Sequence, residues 1–314
     1  QYSKFFFGVF LIPLFVHSKT RDYAIKAFLI AMSVTVILSY LKYFGVIHIY
    51  ETYGPAAVFR RHIEASFLMA MSAYLFAHYA LMPSENTNAR FWRAMLVLMM
   101  ILSFIDAVYM NMSRTGYCVA SMLVLVFGFQ HWRWKGLLSG VVLVGLIWLS
   151  ALHVSPVVQQ RVGDTVSNVS QYKPHSSEGV TSVGLRISFA RDSLKILGNH
   201  PIFGAGTGGF IEQFKKVDPK FPVGSVHNPH NEYLNIGVQF GLVGVGILLW
   251  MFIYLFRCSA ILDVNSRRIV QATLLAILLG SFANSWLMDT TEGHFFVFIM
   301  VLAFASWSKE KFVR

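Results

Sequence analysis

A histidine in Asn228-Pro229-His230-Asn231-Glu232 stands directly before an apolar run that begins at Tyr233. Proline suits a first helical position and Asn228 an N-cap, so the spacing puts His230 in the first turn of a helix. Exposed amides and the helix dipole disfavour an imidazolium there, which leaves the ring neutral and able to accept a proton, as a general base must near neutral pH. The same placement also describes an interfacial histidine beside a helix cap. A second candidate is Arg114 in Ser113-Arg114-Thr115, at the end of an apolar run and in a turn too short for a solvated loop. Its guanidinium, a permanently charged planar fork of donors, suits phosphate oxygens, or else anchors the helix end at a membrane interface. Third, Leu185, Phe189, Leu194 and Leu197 keep helical spacing until Gly198-Asn199 and Pro201, with Arg186 and Arg191 among them. Such an amphipathic helix lies on a membrane surface, where its arginines meet lipid headgroups or a bound anion.

Around these candidates, Arg60 and Arg61 extend the cationic surface, while Lys215, Lys216 and Lys220 read as a solvated face. Asp106 sits about one turn inside the end of its apolar run, which makes it a functional candidate or the partner of a nearby arginine. Gly204 to Gly209 fits a dinucleotide-binding glycine pattern but lacks the βαβ setting; a sharply bent loop lending amides to an anion is expected instead. Asp164, Glu178, Asp192, Glu212 and Asp218 are dispersed, and His227 with His230 supplies two ligands at most, so no catalytic metal and no cofactor are expected.

The elements that must position these residues are membrane helices. Of the 314 residues 55% are hydrophobic and only 13% charged, and the +11 charge (26 basic against 15 acidic) falls mainly in short breaks between apolar runs. That distribution serves topology and excludes a nucleic-acid surface. A crossing helix needs about 20 apolar residues; Ala24–Leu41, Ile63–Leu81, Trp92–Met110, Tyr233–Phe256 and Ile269–Leu287 qualify, and Thr115–Phe129, Leu137–Leu152 and His294–Trp307 are shorter but free of charge. With Phe5–Val16 as the remainder of another, about nine spans result. The expected architecture is an all-α polytopic bundle: N-terminal transmembrane helices in 1–153, a large loop with surface helices in 154–232, and C-terminal transmembrane helices in 233–314.

Basic breaks at Lys19–Lys26, Arg90–Arg93, Arg133–Lys135, Arg257–Arg268 and Lys309–Arg314 face the cytoplasm by the positive-inside rule, so Arg114, the 154–232 loop and His230 share the opposite face. Cys118 and Cys258 then lie near opposite faces and do not pair. The chain starts with Gln1, and its first run would enter from outside, so upstream helices are expected.

These residues resemble the O-antigen ligase family, whose superfamily also holds O-antigen polymerases and membrane O-oligosaccharyltransferases. The likeness rests on His230-Asn231, nine residues, then Gly241-Leu242-Val243-Gly244; on His200-Pro201-Ile202-Phe203-Gly204-Ala205-Gly206; on Ser113-Arg114-Thr115-Gly116; and on an upstream arginine matched by Arg186. Val245 and Gly246 stand where threonines often follow the second glycine. The resemblance implies a metal-independent inverting glycosyltransferase of the bacterial inner membrane with a periplasmic site. It would move a glycan from undecaprenyl pyrophosphate to the lipid A core oligosaccharide and so complete lipopolysaccharide; elongation of a lipid-linked glycan or transfer to protein are the alternatives. It makes His230 the base and Arg114 and Arg186 the pyrophosphate ligands, with Arg191, Arg60, Arg61, His227 and Asn231 as further pyrophosphate or glycan contacts. A transporter of lipid-linked sugar is the reading from another class; it expects charges at mid-membrane rather than at one rim.

Overall fold

The structure is a computed structural model that describes residues 2–49, 54–59, 61–83, 87–170, 181–219 and 228–312. Eleven helices occupy these residues, with no strand among them: α1 (Ser3–Leu11), α2 (Ser18–Tyr43), α3 (His62–Ala80), α4 (Ala89–Ile105), α5 (Arg114–Val154), α6 (Pro156–Ser170), α7 (Ser182–Asn199), α8 (Phe210–Val217), α9 (Glu232–Cys258), α10 (Val264–Gly280) and α11 (Thr290–Phe312). Four segments are long and apolar enough to cross a membrane, Ser18–Tyr43, Ala89–Met110, Arg114–Val154 and Glu232–Ile261. The chain is therefore a multi-pass membrane protein.

Helix α3 is apolar all round and buried along nearly its whole length, as such a helix must be. Its small residues let neighbours approach: a Cβ on Gly116 of α5 would lie 1.7 Å from Ser66 Oγ. Phe67 carries the packing across to the last helices, with ring centroids 4.8 Å from Trp286 and 5.4 Å from Phe295. Outward residues such as Ile30, Leu138 and Ile247 stay exposed, which suits a lipid surround better than water.

Helix α5 is not one rod. Arg133 has φ 56° and ψ −139°, and the two limbs fold back on each other. A Cβ on Gly128 would meet Gly136 O at 2.3 Å, while Trp148 Nε1 donates to Ser121 Oγ across 3.1 Å. The expected break at Arg133 and Lys135 is this reversal. The run expected from Ile269 to Leu287 instead ends as helix at Gly280, because the Trp286 ring packs where a Cβ of Gly280 would stand, 1.9 Å away. Residues 281–289 are thereby released as a folded turn beside α9.

Candidate functional site

Arg114 follows a local irregularity. After α4 the chain makes a π-helical turn, Asp106–Met110, and Ser113 then caps α5 by accepting from Gly116 N at 3.1 Å. Asp106 is fully buried and pairs with no arginine among the described residues, contrary to one expectation: Asn111 Nδ2 donates to Oδ1, and Oδ2 shares a short hydrogen bond with Ser39 Oγ, whose hydroxyl is within reach of Ala56 O at 2.6 Å. The carboxyl thus ties α2, the segment before α3 and the turn leading to Arg114. An amide fits the same place, since Nδ2 would donate to Ser39 while Oδ1 still accepts from Asn111. Asp106→Asn should keep near wild-type melting temperature and activity, whereas Asp106→Ala should cost about 1–3 kcal/mol by orphaning buried partners, measured as a lower melting temperature of the purified protein.

From the cap, Arg114 Nη1 donates to Thr165 Oγ1 of α6 at 2.7 Å and Nη2 to Ser182 Oγ of α7 at 2.8 Å. Four residues on, along the same face of α7, Arg186 Nη2 donates to Asn284 Oδ1 at 3.3 Å, and Asn284 Nδ2 donates to Thr115 Oγ1 at 3.2 Å. Both guanidiniums are therefore oriented by neutral hydroxyls and an amide. Burial and the Arg114 charge both push against the charge on Arg186, which an arginine nevertheless keeps.

His230 does not lie within the helix. Its backbone N donates to Asn228 Oδ1 at 2.8 Å in a local Asx-type turn, its φ is 50°, and Asn231 is the true N-cap of α9, accepting from Leu234 N at 3.0 Å. The asparagine-first cap expected from the sequence is corrected by this three-residue shift: Asn228 turns the chain and Asn231 begins the helix. The imidazole stacks on Phe189 of α7 with centroids 6.0 Å apart and planes at 28°, and Phe189 is buried against Phe214. Although solvent reaches His230, the walls of its cleft desolvate it. That burial first, and then the charges of Arg186 and Arg61, hold its pKa below the ordinary histidine value. Glu232, two residues away, is turned into the protein, accepting from Tyr2 OH at 2.6 Å and from Leu287 N at 3.0 Å.

Arg114 thus acts on Arg186, whose charge together with that of Arg61 acts in turn on His230. Arg191 stands apart: it lies against Asp192 (2.8 and 3.0 Å) and reaches Asp218 at 3.7 Å, an internal tie between α7 and the end of α8. Asn231 serves as a cap and donates to Phe282 O at 2.9 Å. Arg60 and His227 lie outside the described residues. One contributor was missed, Asn284, for which the polar break Asn284-Ser285 within an apolar run was a usable signal. Among the described residues no three His, Cys, Asp or Glu side chains converge as metal ligands do.

The two glycine motifs meet in space. Helix α9 breaks at Gly241, φ 65° and ψ −161°, and a Cβ on Gly237 would lie 3.5 Å from Val245 Cγ2. Eight residues of straight helix would separate those positions by about 12 Å, so the chain turns there and the single span expected from Tyr233 to Phe256 is in fact two limbs. The 201–206 loop fills the break: Leu242 N donates to Pro201 O (2.8 Å), Val243 N to Ile202 O (3.2 Å), Ala205 N to Val238 O (2.7 Å) and Gly206 N to Gln239 O (3.0 Å). With Gly208 N also donating to Gln239 Oε1 at 2.9 Å, these loop amides hold the helix break, not the anion expected of them. A Cβ at Gly204 would stand 2.4 Å from Gln239 C, and one at Gly241 2.2 Å from Ile202 O. Gly204→Ala and Gly241→Ala should each therefore lower stability by about 2–4 kcal/mol, from positive φ plus overpacking, read as lost folded yield or a lower melting temperature.

The family model described as O-antigen ligase matches residues 96–249, a stretch that holds Arg114, Arg186, His230 and Gly241-Leu242-Val243-Gly244. An uncharacterised protein of Haemophilus influenzae is 25% identical over 193 residues, covering 58% of this chain and 48% of that protein, so the chain spans about half the length of the curated relative it matches. The match assigns residues 96–249 of this membrane protein to the O-antigen ligase family.

Proposed function

We propose that the protein transfers a glycan from undecaprenyl pyrophosphate to a hydroxyl of the lipid A core oligosaccharide at the periplasmic face of the bacterial inner membrane. The observation that carries this reading is the pairing of two guanidiniums, oriented among the described residues by neutral partners, with an accessible histidine whose pKa is lowered beside them. Two forks with donors to spare suit a diphosphate, and a neutral imidazole suits a hydroxyl that must lose its proton.

In the reaction, His230 takes the proton of the acceptor hydroxyl as its oxygen attacks the anomeric carbon. The bond from that carbon to the phosphate oxygen breaks with both electrons left on oxygen, and inversion follows from the single displacement. Arg114 and Arg186 stabilise the charge that grows on the departing pyrophosphate, an electrostatic role often given to a metal ion. Counting the two limbs of α5 separately and adding α1, α3, α10 and α11 to the other long helices gives about nine crossings, with the basic breaks inward and the cleft outward.

Reconstitution with undecaprenyl-pyrophosphate glycan tests the reading, offering core lipopolysaccharide in one arm and a second lipid-linked glycan in the other, with excess chelator present in parallel. Transfer to the core lipopolysaccharide, undiminished by chelator, is expected. Elongation of the lipid-linked acceptor alone would make the protein a polymerase, and no transfer to either would reject lipid-pyrophosphate chemistry.

A further inference from the structure

We propose that Arg161 of α6 is a third guanidinium ligand of the diphosphate, serving the phosphoryl group from which the glycan departs; this rests on reading the cleft as a lipid-pyrophosphate site. Arg161 lies one turn before Thr165, whose hydroxyl accepts from Arg114 and donates to Arg161 O at 2.7 Å, so α6 is locked in register beside Arg114. Arg161 is the charged group that acts most strongly on Arg114, and Arg161, Arg186 and Arg114 all act on His62 at the start of α3. Three cations thus act together around His62 and the start of α5.

Arg161 is also incompletely satisfied. Among the described residues its Nε is buried without a hydrogen-bond partner, and its ion pair with Asp164 is stretched to 3.8 Å between Nη1 and Oδ2. A buried N–H without an acceptor is costly, and like charges brought together away from bulk water repel. An anion with several oxygens relieves both. The charge count favours a diphosphate over a single phosphate: the diphosphate diester of a lipid-linked glycan carries two negative charges, and cleavage of the carbon–oxygen bond places a third on the oxygen left behind. Arg114 and Arg186 match the first two, and Arg161 matches the one that appears during reaction.

The test uses the full chain, purified in detergent, with inorganic pyrophosphate and orthophosphate as calorimetric probes against wild type, Arg161→Ala, Arg161→Gln and Arg186→Ala. Arg161→Ala should weaken pyrophosphate binding by about tenfold or more and change orthophosphate binding far less; Arg161→Gln, which keeps a polar stem, must show the same loss should the alanine variant fail to fold. Pyrophosphate binding at wild-type strength by either folded Arg161 variant, with Arg186→Ala losing it, removes Arg161 from the site and leaves the proposed function standing. Wild-type-strength binding by Arg186→Ala as well, or no pyrophosphate binding by the wild type, would sink both.

Discussion

His230→Ala is expected to lower glycan transfer by about 10²–10⁴-fold, the usual contribution of a positioned proton acceptor. The loss should fall on kcat, because donor binding is assigned to the arginines, which the substitution leaves in place. The ring's stacking on Phe189 is a small part of a packed cluster that also includes Phe210 and Phe214, so melting temperature should change little. A variant that kept full transfer activity would end the general-base role.

The same residue sets the pH profile. A base works unprotonated, and the His230 pKa is held below 6.5 by burial, Arg186 and Arg61. Transfer should therefore be flat through neutral pH and fall as pH drops through that lowered value. Arg61→Ala removes one of the opposing charges and should move the acid limb upward, toward the ordinary histidine range. A limb that stayed in place would mean that another group governs the profile.

Much of this was legible in the chain because charge and hydropathy are local signals. The turn at Arg133 follows from basic residues between two apolar runs, and α7 from its leucine and phenylalanine spacing. What stayed hidden depends on partners distant in sequence. Nothing near Gly241 says that the loop from Pro201 to Gly206 supplies the hydrogen bonds that let α9 break there, so a continuous apolar run read as a continuous helix. Likewise the end of α10 at Gly280 is set by Trp286 folding back, a contact that hydropathy cannot register. The cap at α9 was misplaced because two asparagines three residues apart both suit a helix start, and only geometry separates the turn-maker from the cap. Arg161 was overlooked since α6 reads as loop by composition, with valines beside polar residues and no long apolar stretch.

Arg186 and Arg191 stand five residues apart on α7 and looked alike in sequence, yet their surroundings predict opposite phenotypes. Arg186→Ala should reduce transfer by about 100-fold or more, as loss of a preorganised donor to developing charge does. Its hydrogen-bond partner among the described residues, Asn284 Oδ1, is neutral, so truncation leaves no buried charge unpaired among them and stability should hold. Arg186→Lys should rescue little, because an ammonium cannot present the fork that engages two oxygens. Arg191→Ala should instead act on the fold: Asp192 is fully buried and takes two hydrogen bonds from Arg191, and stripping the partner from a buried carboxylate costs about 3–5 kcal/mol. Lys195 Nζ, 3.5 Å from Asp192, softens that loss without replacing the fork. Measuring kcat and melting temperature on both variants separates the roles: a catalytic defect without destabilisation at Arg186, and destabilisation with near-normal kcat in the surviving folded fraction at Arg191. The reverse pattern would move the anion site along α7 to the side facing α8.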